Sequence, residues 1–242
     1  MSQGYIPIIA DKFGVWDQFF EQPVMPIEEG KSVDDYPVSD VDFTMHTASG
    51  VDNNNPLRKT WAKLLKDFCR LKPNEKNYIE SEIKEVLGKG KRVLGVVCRG
   101  TDYVGTGMPT QPSIEMLSSD IKDWMQKYNY DKVYLATEDE RIFNALSKEL
   151  PDVILTNKRT YYDKKLAETN QKWIGTVSFD RENDSYYRGL EYYSSINILS
   201  RCNALLAGFC GATGIALMLN NEKYERFHVY DLGISRDESE SE

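Results

Sequence analysis

Lys91-Arg92-Val93-Leu94-Gly95-Val96-Val97-Cys98-Arg99-Gly100-Thr101-Asp102 is the stretch that decides the fold of this chain. An apolar run, Val93 to Val97, gives way at once to an arginine, a glycine, a hydroxyl and a carboxylate. Branched apolar residues without polar alternation fit a strand buried on both faces, the environment of a parallel sheet. Four more short apolar runs follow: Val133 to Ala136, Val153 to Leu155, Ala204 to Ala207 and His228 to Leu232. Between them lie helical patterns, one with Ile114, Leu117, Ile121, Trp124, Met125 and Tyr128, the next with Ile142, Phe143 and Leu146. A third helix is expected from about Gly189 to Cys202 and a short one after Gly211. Strand and helix in alternation predict an α/β fold, a parallel sheet with helices on both faces.

Upstream the pattern differs. Trp61, Leu64, Leu65 and Phe68 mark an amphipathic helix from about Leu57 to Arg70, and Tyr78, Ile79, Ile83 and Val86 mark another from about Glu75 to Leu87, stopped by Gly88 and Gly90. Residues 28–56 are polar, acidic and rich in turn formers, which predicts a loop or linker. Gly4 to Ile9 reads as a short buried strand, Asn157 to Tyr187 as a long excursion over the surface, and Arg236 to Glu242 as a disordered charged tail. The chain divides into a partial N-terminal segment (1–56), a helical linker (57–90), a ligand-binding domain (91–235) and the tail (236–242).

Composition narrows the function. The 242 residues are 40% hydrophobic and carry a formal charge of −8, so a broad phosphate-tracking surface for nucleic acid is not expected. Four scattered cysteines, Cys69, Cys98, Cys202 and Cys210, fit reduced thiols rather than a disulfide framework or a zinc site. Two histidines, His46 and His228, are too few for a multi-histidine metal centre. No apolar run approaches the roughly 20 residues of a membrane helix, and no signal-peptide pattern opens the chain, which together predict a cytoplasmic protein without a transmembrane segment.

Ligands in open α/β sheets bind beyond the carboxyl ends of the strands, and three strand ends here carry chemistry. The first is Cys98 to Asp102, where the fork of Arg99 suits a diphosphate; the alternative is a plain Arg99–Asp102 ion pair. The second is Ala136-Thr137-Glu138-Asp139-Glu140, whose acids either favour a helix N-terminus or accept hydrogen bonds from ligand hydroxyls. The third is the glycine-rich turn Gly208 to Gly214, which can aim free amides at a phosphate. With Asp231 it also imitates a dinucleotide fingerprint, leaving an NAD-binding enzyme as a distant alternative. Cys98 as a nucleophile, with His46 or His228 as its base, is a further alternative, although a cysteine ending an apolar strand ordinarily packs. The pairs Tyr186-Tyr187 and Tyr192-Tyr193 either stack on a ligand ring or form the outer face of a helix.

The segments Leu94 to Tyr103, Tyr134 to Asp139, Arg188-Gly189 into Ile198 to Cys202, and Gly208 to Gly214 together resemble the donor-binding half of the α1,6-fucosyltransferases, including the nodulation fucosyltransferases. The resemblance covers roughly the last three fifths of the chain. It implies a GT-B-like architecture with a Rossmann-like donor domain, and an inverting transfer of a sugar, fucose in the family, from a GDP-sugar to a glycan acceptor. A role in surface polysaccharide synthesis and the absence of any metal or other cofactor are implied with it. By position, the resemblance gives Arg99 the β-phosphate and matches Asp102 to a carboxylate of the same donor motif, and these two are the catalytic candidates. Glu138, Asp139 and Cys210-Gly211 match donor-contacting positions of the family, and Arg99, Thr101, Tyr103, Glu191, Ala212 and Thr213 complete the expected donor site.

The chain departs from the family at several points. Gly100 stands where a second arginine is common, Tyr103 where a basic residue is common, and no glutamate lies near Gly107. The family's guanine-contacting acid aligns near Ser195, with Glu191 one turn away as its replacement. Gly4 to Pro23 resembles the middle of the family's first domain, which implies an incomplete N-terminal α/β portion. A catalytically silent nucleotide-sugar-binding remnant is the alternative function.

Overall fold

The computed structural model describes residues 16–22, 30–31, 35 and 57–235. The expected strand Gly4 to Ile9, almost all of the loop 28–56 and the charged tail lie outside the described residues. The first described helix, α1 (Trp16–Phe19), is followed by α2 (Leu57–Phe68) and α3 (Pro73–Leu87). Then come β1 (Val93–Val97), α4 (Ile114–Tyr128), β2 (Lys132–Ala136), α5 (Glu140–Glu149), β3 (Ile154–Leu155), α6 (Asp163–Thr169), α7 (Asp184–Ser200), β4 (Ala204–Gly208), α8 (Gly211–Asn220) and β5 (Arg226–Tyr230).

All five strands are parallel and lie in the order β3-β2-β1-β4-β5. Side chains alternate across β1, as the pleat requires. Val93 and Val97 join Ile79, Ile83 and Val86 of α3, Ile196 and Leu199 of α7 and Ala216 of α8 on one face. Leu94 and Val96 join Leu117 and Ile121 of α4 and Leu146 of α5 on the other. Helices α4 and α5 therefore cover the face used while the chain steps outward from β1 to β3. Helices α7 and α8 cover the opposite face after it returns to the far side of β1. That reversal creates a topological switch point between β1 and β4.

The helices of residues 57–90 pack on the helices that cover one face of the sheet. Helix α3 lies on α7 and α2 on α8. Phe19 of α1 stacks on Tyr186 at 5.2 Å, and a Cβ at Gly189 would come within 2.8 Å of the Phe19 ring. This makes Gly189 the recess that seats the segment.

Two expectations need correction. The last strand is Arg226–Tyr230, two residues earlier than expected, because its register against β4 pairs Leu206 with His228 and Gly208 with Tyr230. Helix α7 begins at Asp184, more than a turn before Gly189, with an acid in its first turn. The excursion 157–187 consequently shrinks, and it contains α6 and a 3-10 turn, Ile174–Thr176. Weak periodicity hid a seven-residue helix that is held by tertiary contacts.

Candidate functional site

The sequence places Arg99 two residues beyond the end of β1 and the glycine turn at the end of β4, and the sheet makes these strands neighbours. Both features therefore emerge on the same edge, side by side at the switch point. Arg99 and Ala212 line one cavity of about 470 Å³, together with Tyr103, Glu138, Arg159, Tyr162, Arg188, Glu191, Tyr192 and Ser195.

Glu138 organises the turn after β1. Its Oε1 accepts from Gly100 N at 2.9 Å, Thr101 N at 3.2 Å and Thr101 Oγ1 at 2.9 Å, while Oε2 lies 3.0 Å from Arg99 Nε as an ion pair. Arg99 Nη2 donates to Asp102 Oδ1 at 2.5 Å, and the guanidinium sits over the Tyr103 ring, 4.8 Å from its centroid. Burial works against the charge of Arg99, but Glu138 and Asp102 outweigh it and push its pKa above the usual arginine value. Arg99 is thus fixed, permanently charged and flanked by two carboxylates. Burial pushes the Tyr103 hydroxyl up to about 12, so it stays protonated and able to donate.

Asp139 is spent locally. It caps α5 through Arg141 N at 2.9 Å and pairs with the Arg141 guanidinium at 2.6 Å. Its carboxylate also occupies the space that a side chain at position 100 would need, along with Ile142. This accounts for Gly100 where the resemblance leads one to expect arginine. Glu191 lines the cavity, but its oxygens accept from Thr160 N at 2.9 Å, Thr160 Oγ1 at 3.2 Å and Arg181 Nη1 at 2.7 Å. Ser195 is buried below it and donates to Glu191 O at 2.9 Å.

Helix α8 opens directly from the β4 turn. Cys210 is its N-cap residue with no side-chain cap bond, and no acid lies in the first turn. Thr213 Oγ1 turns back to Gly208 O at 2.7 Å, and open space surrounds Gly211. The first-turn amides of α8 are thus available to an anion, at the positive end of the helix dipole.

Two residues that sequence reasoning passed over complete the site. Gln111 staples the strand ends together: its Oε1 accepts from Arg99 N at 3.1 Å and its Nε2 donates to Phe209 O at 3.0 Å. Gly208 is the counterpart of this staple, since a Cβ there would collide with Gln111 Oε1. Arg159 arrives from the 157–187 segment, which folds back over the sheet edge through Tyr162 N to Glu138 O at 2.9 Å. No local motif announced either residue.

Other candidates resolve simply. Cys98 is buried, with its thiol near Pro112 O, and burial pushes its pKa far above the ordinary thiol value, so it packs rather than attacks. Asp231 follows the edge strand and is exposed. Tyr186 is tied to Glu75 at 2.8 Å, Tyr187 is exposed, Tyr193 is half-buried against the core and Tyr192 faces the cavity. Among the described residues no cluster of three histidines, cysteines or acids is arranged for a metal, and no helix is long and apolar enough to cross a membrane.

No protein-family model matches the chain, and no curated protein matches it significantly. Solved structures with a similar fold include the fucosyltransferase NodZ from Bradyrhizobium, at 14% identity and a TM-score of 0.45 over 72% of this chain and 49% of that one. NodZ α1,6-fucosyltransferase soaked with GDP-fucose gives 17% and 0.45 over 70% and 48%, and POFUT1 in complex with GDP-fucose gives 12% and 0.45 over 72% and 50%. The chain spans about half the length of these proteins.

Proposed function

We propose that this chain binds a nucleoside-diphosphate sugar in the cleft at the β1/β4 switch point and acts as a glycosyltransferase on a glycan acceptor. The observation that carries this reading is the convergence of Arg99 and the uncapped start of α8 on one cavity. A fixed guanidinium and oriented amides stabilise the negative charge that develops on the β-phosphate as the diphosphate leaves. Glu138, itself bonded by Thr101, and Asp102 hold Arg99 in place, and Gln111 sets the distance between the two strand ends. GDP as the nucleotide and fucose as the sugar rest on the motif resemblance at Leu94 to Tyr103. A metal-free, inverting transfer and a GT-B arrangement belong to the same reading.

Calorimetric titration with GDP, GDP-fucose and UDP tests the proposal. Wild-type protein is expected to bind GDP in preference to UDP, and Arg99→Lys, which keeps the charge but loses the fork, to weaken GDP about tenfold. Arg99→Ala is a poorer probe, because it strands two buried carboxylates. Absence of GDP binding to the wild type refutes the proposal.

A second reading, a nucleotide-sugar binder without turnover, is favoured by one feature. The carboxylates nearest Arg99 are both engaged with it, and of their four oxygens Asp102 Oδ2 alone has no hydrogen-bond or ion-pair partner among the described residues and is left for base work. Turnover of GDP-fucose with a glycan panel separates the two readings.

A further inference from the structure

Arg159 differs from every other cation around the cleft. Arg99 is flanked by Glu138 and Asp102, Arg181 by Asp184 and Glu191, and Arg188 by Asp184. The neighbours of Arg159 in sequence are also served: Lys158 N donates to Glu82 and Thr160 N to Glu191. Arg159 lies between them without an ion pair to any carboxylate among the described residues, and its Nε and Nη1 are buried with no hydrogen-bond partner among those residues. The phenols of Tyr134 and Tyr161 lie within electrostatic reach of it, and burial raises the pKa of both, so they stay protonated at neutral pH and offer it no charge.

Arg159 is half-buried, and guanidinium N–H groups withdrawn from water without an acceptor are destabilising; such an arrangement persists where another state of the protein supplies one. Arg99 is a rigid hydrogen-bond fork whose charge is already offset. Beside the partial charge at the start of α8, a full positive charge for an incoming anion must therefore come from another side chain of the cavity. We infer that Arg159 supplies the uncompensated positive charge of the cleft and receives a phosphate oxygen of the ligand's diphosphate. This rests on the reading of the cleft as a nucleoside-diphosphate site.

The test compares wild-type protein with Arg159→Met and Arg159→Lys, using GDP, inorganic pyrophosphate and guanosine as separate calorimetric probes. Arg159→Met is expected to weaken GDP and pyrophosphate about tenfold to a hundredfold, to leave guanosine unchanged, and to be partly rescued by lysine. Its melting temperature without ligand is expected to equal or exceed that of the wild type, since an unpaired buried charge has been removed. Unchanged GDP affinity, an equal loss of guanosine, or a melting temperature lowered by several degrees would overturn the inference. Wild-type binding of pyrophosphate but not GDP, lost in Arg159→Met, would retire the nucleotide reading and leave the anion site standing. No binding of either probe to the wild type overturns both.

Discussion

Replacing Glu138 tests whether the turn that presents Arg99 is held from the neighbouring strand. The carboxylate is 5% exposed and serves two amide N–H groups, one hydroxyl and one guanidinium. In Glu138→Ala, two buried amide donors lose their acceptor, at about 1–3 kcal/mol each, and a buried ion pair loses one partner, at about 3–5 kcal/mol. These contributions share one carboxylate and water can enter the vacated space, so they do not sum, and the expected loss is about 3–5 kcal/mol. Glu138→Gln retains an acceptor for the amides but turns a donor toward Arg99, for an expected loss of about 2 kcal/mol. Urea unfolding at neutral pH with linear extrapolation measures both. Against a total of about 5–15 kcal/mol, the alanine change should move the midpoint far. A loss below about 1 kcal/mol in Glu138→Ala would show that the turn holds itself and would refute the assigned role.

Gly100→Ala should destabilise by about 1–3 kcal/mol, because the new Cβ overlaps the Asp139 carboxylate and meets Ile142 Cδ1 at 2.7 Å. Combined with Asp139→Ala it should cost less than the sum of the single changes in the same unfolding assay, and additivity would discount the clash. Burial holds the Glu82 carboxyl above its usual range despite the bond from Lys158 N, so protonated Glu82 favours folding. That stability is fully present below the unfolded pKa and is lost as pH rises through the folded one. Glu82→Gln should flatten the melting temperature across this acid window and raise it at pH 7; a parallel offset at all pH values contradicts the linkage. Native protein treated with iodoacetamide should label at the partly exposed Cys69 well before Cys98 or Cys202, as read by peptide mass spectrometry. Early labelling of Cys98 would reopen the nucleophile reading.

The strands were legible because burial on both faces demands unbroken apolar runs, and β1 lies where Val93 to Val97 predict it. The helices α3 and α4 were legible from their 3-4 periodicity, and the Arg99 turn from an abrupt change of chemistry at a strand end. These are local signals, carried by side chains within one element, and a single sequence displays them. It also fixed that one arginine and one glycine turn would each end a strand. Which strands adjoin was decided only by tertiary structure, since strand order depends on how the helices share the two faces. The same holds for the Gln111 staple and the return of 157–187 over the cleft with Arg159. Each joins residues far apart in the chain or turns on what fills a particular space, and a contact across folded distance leaves no periodic trace along the sequence.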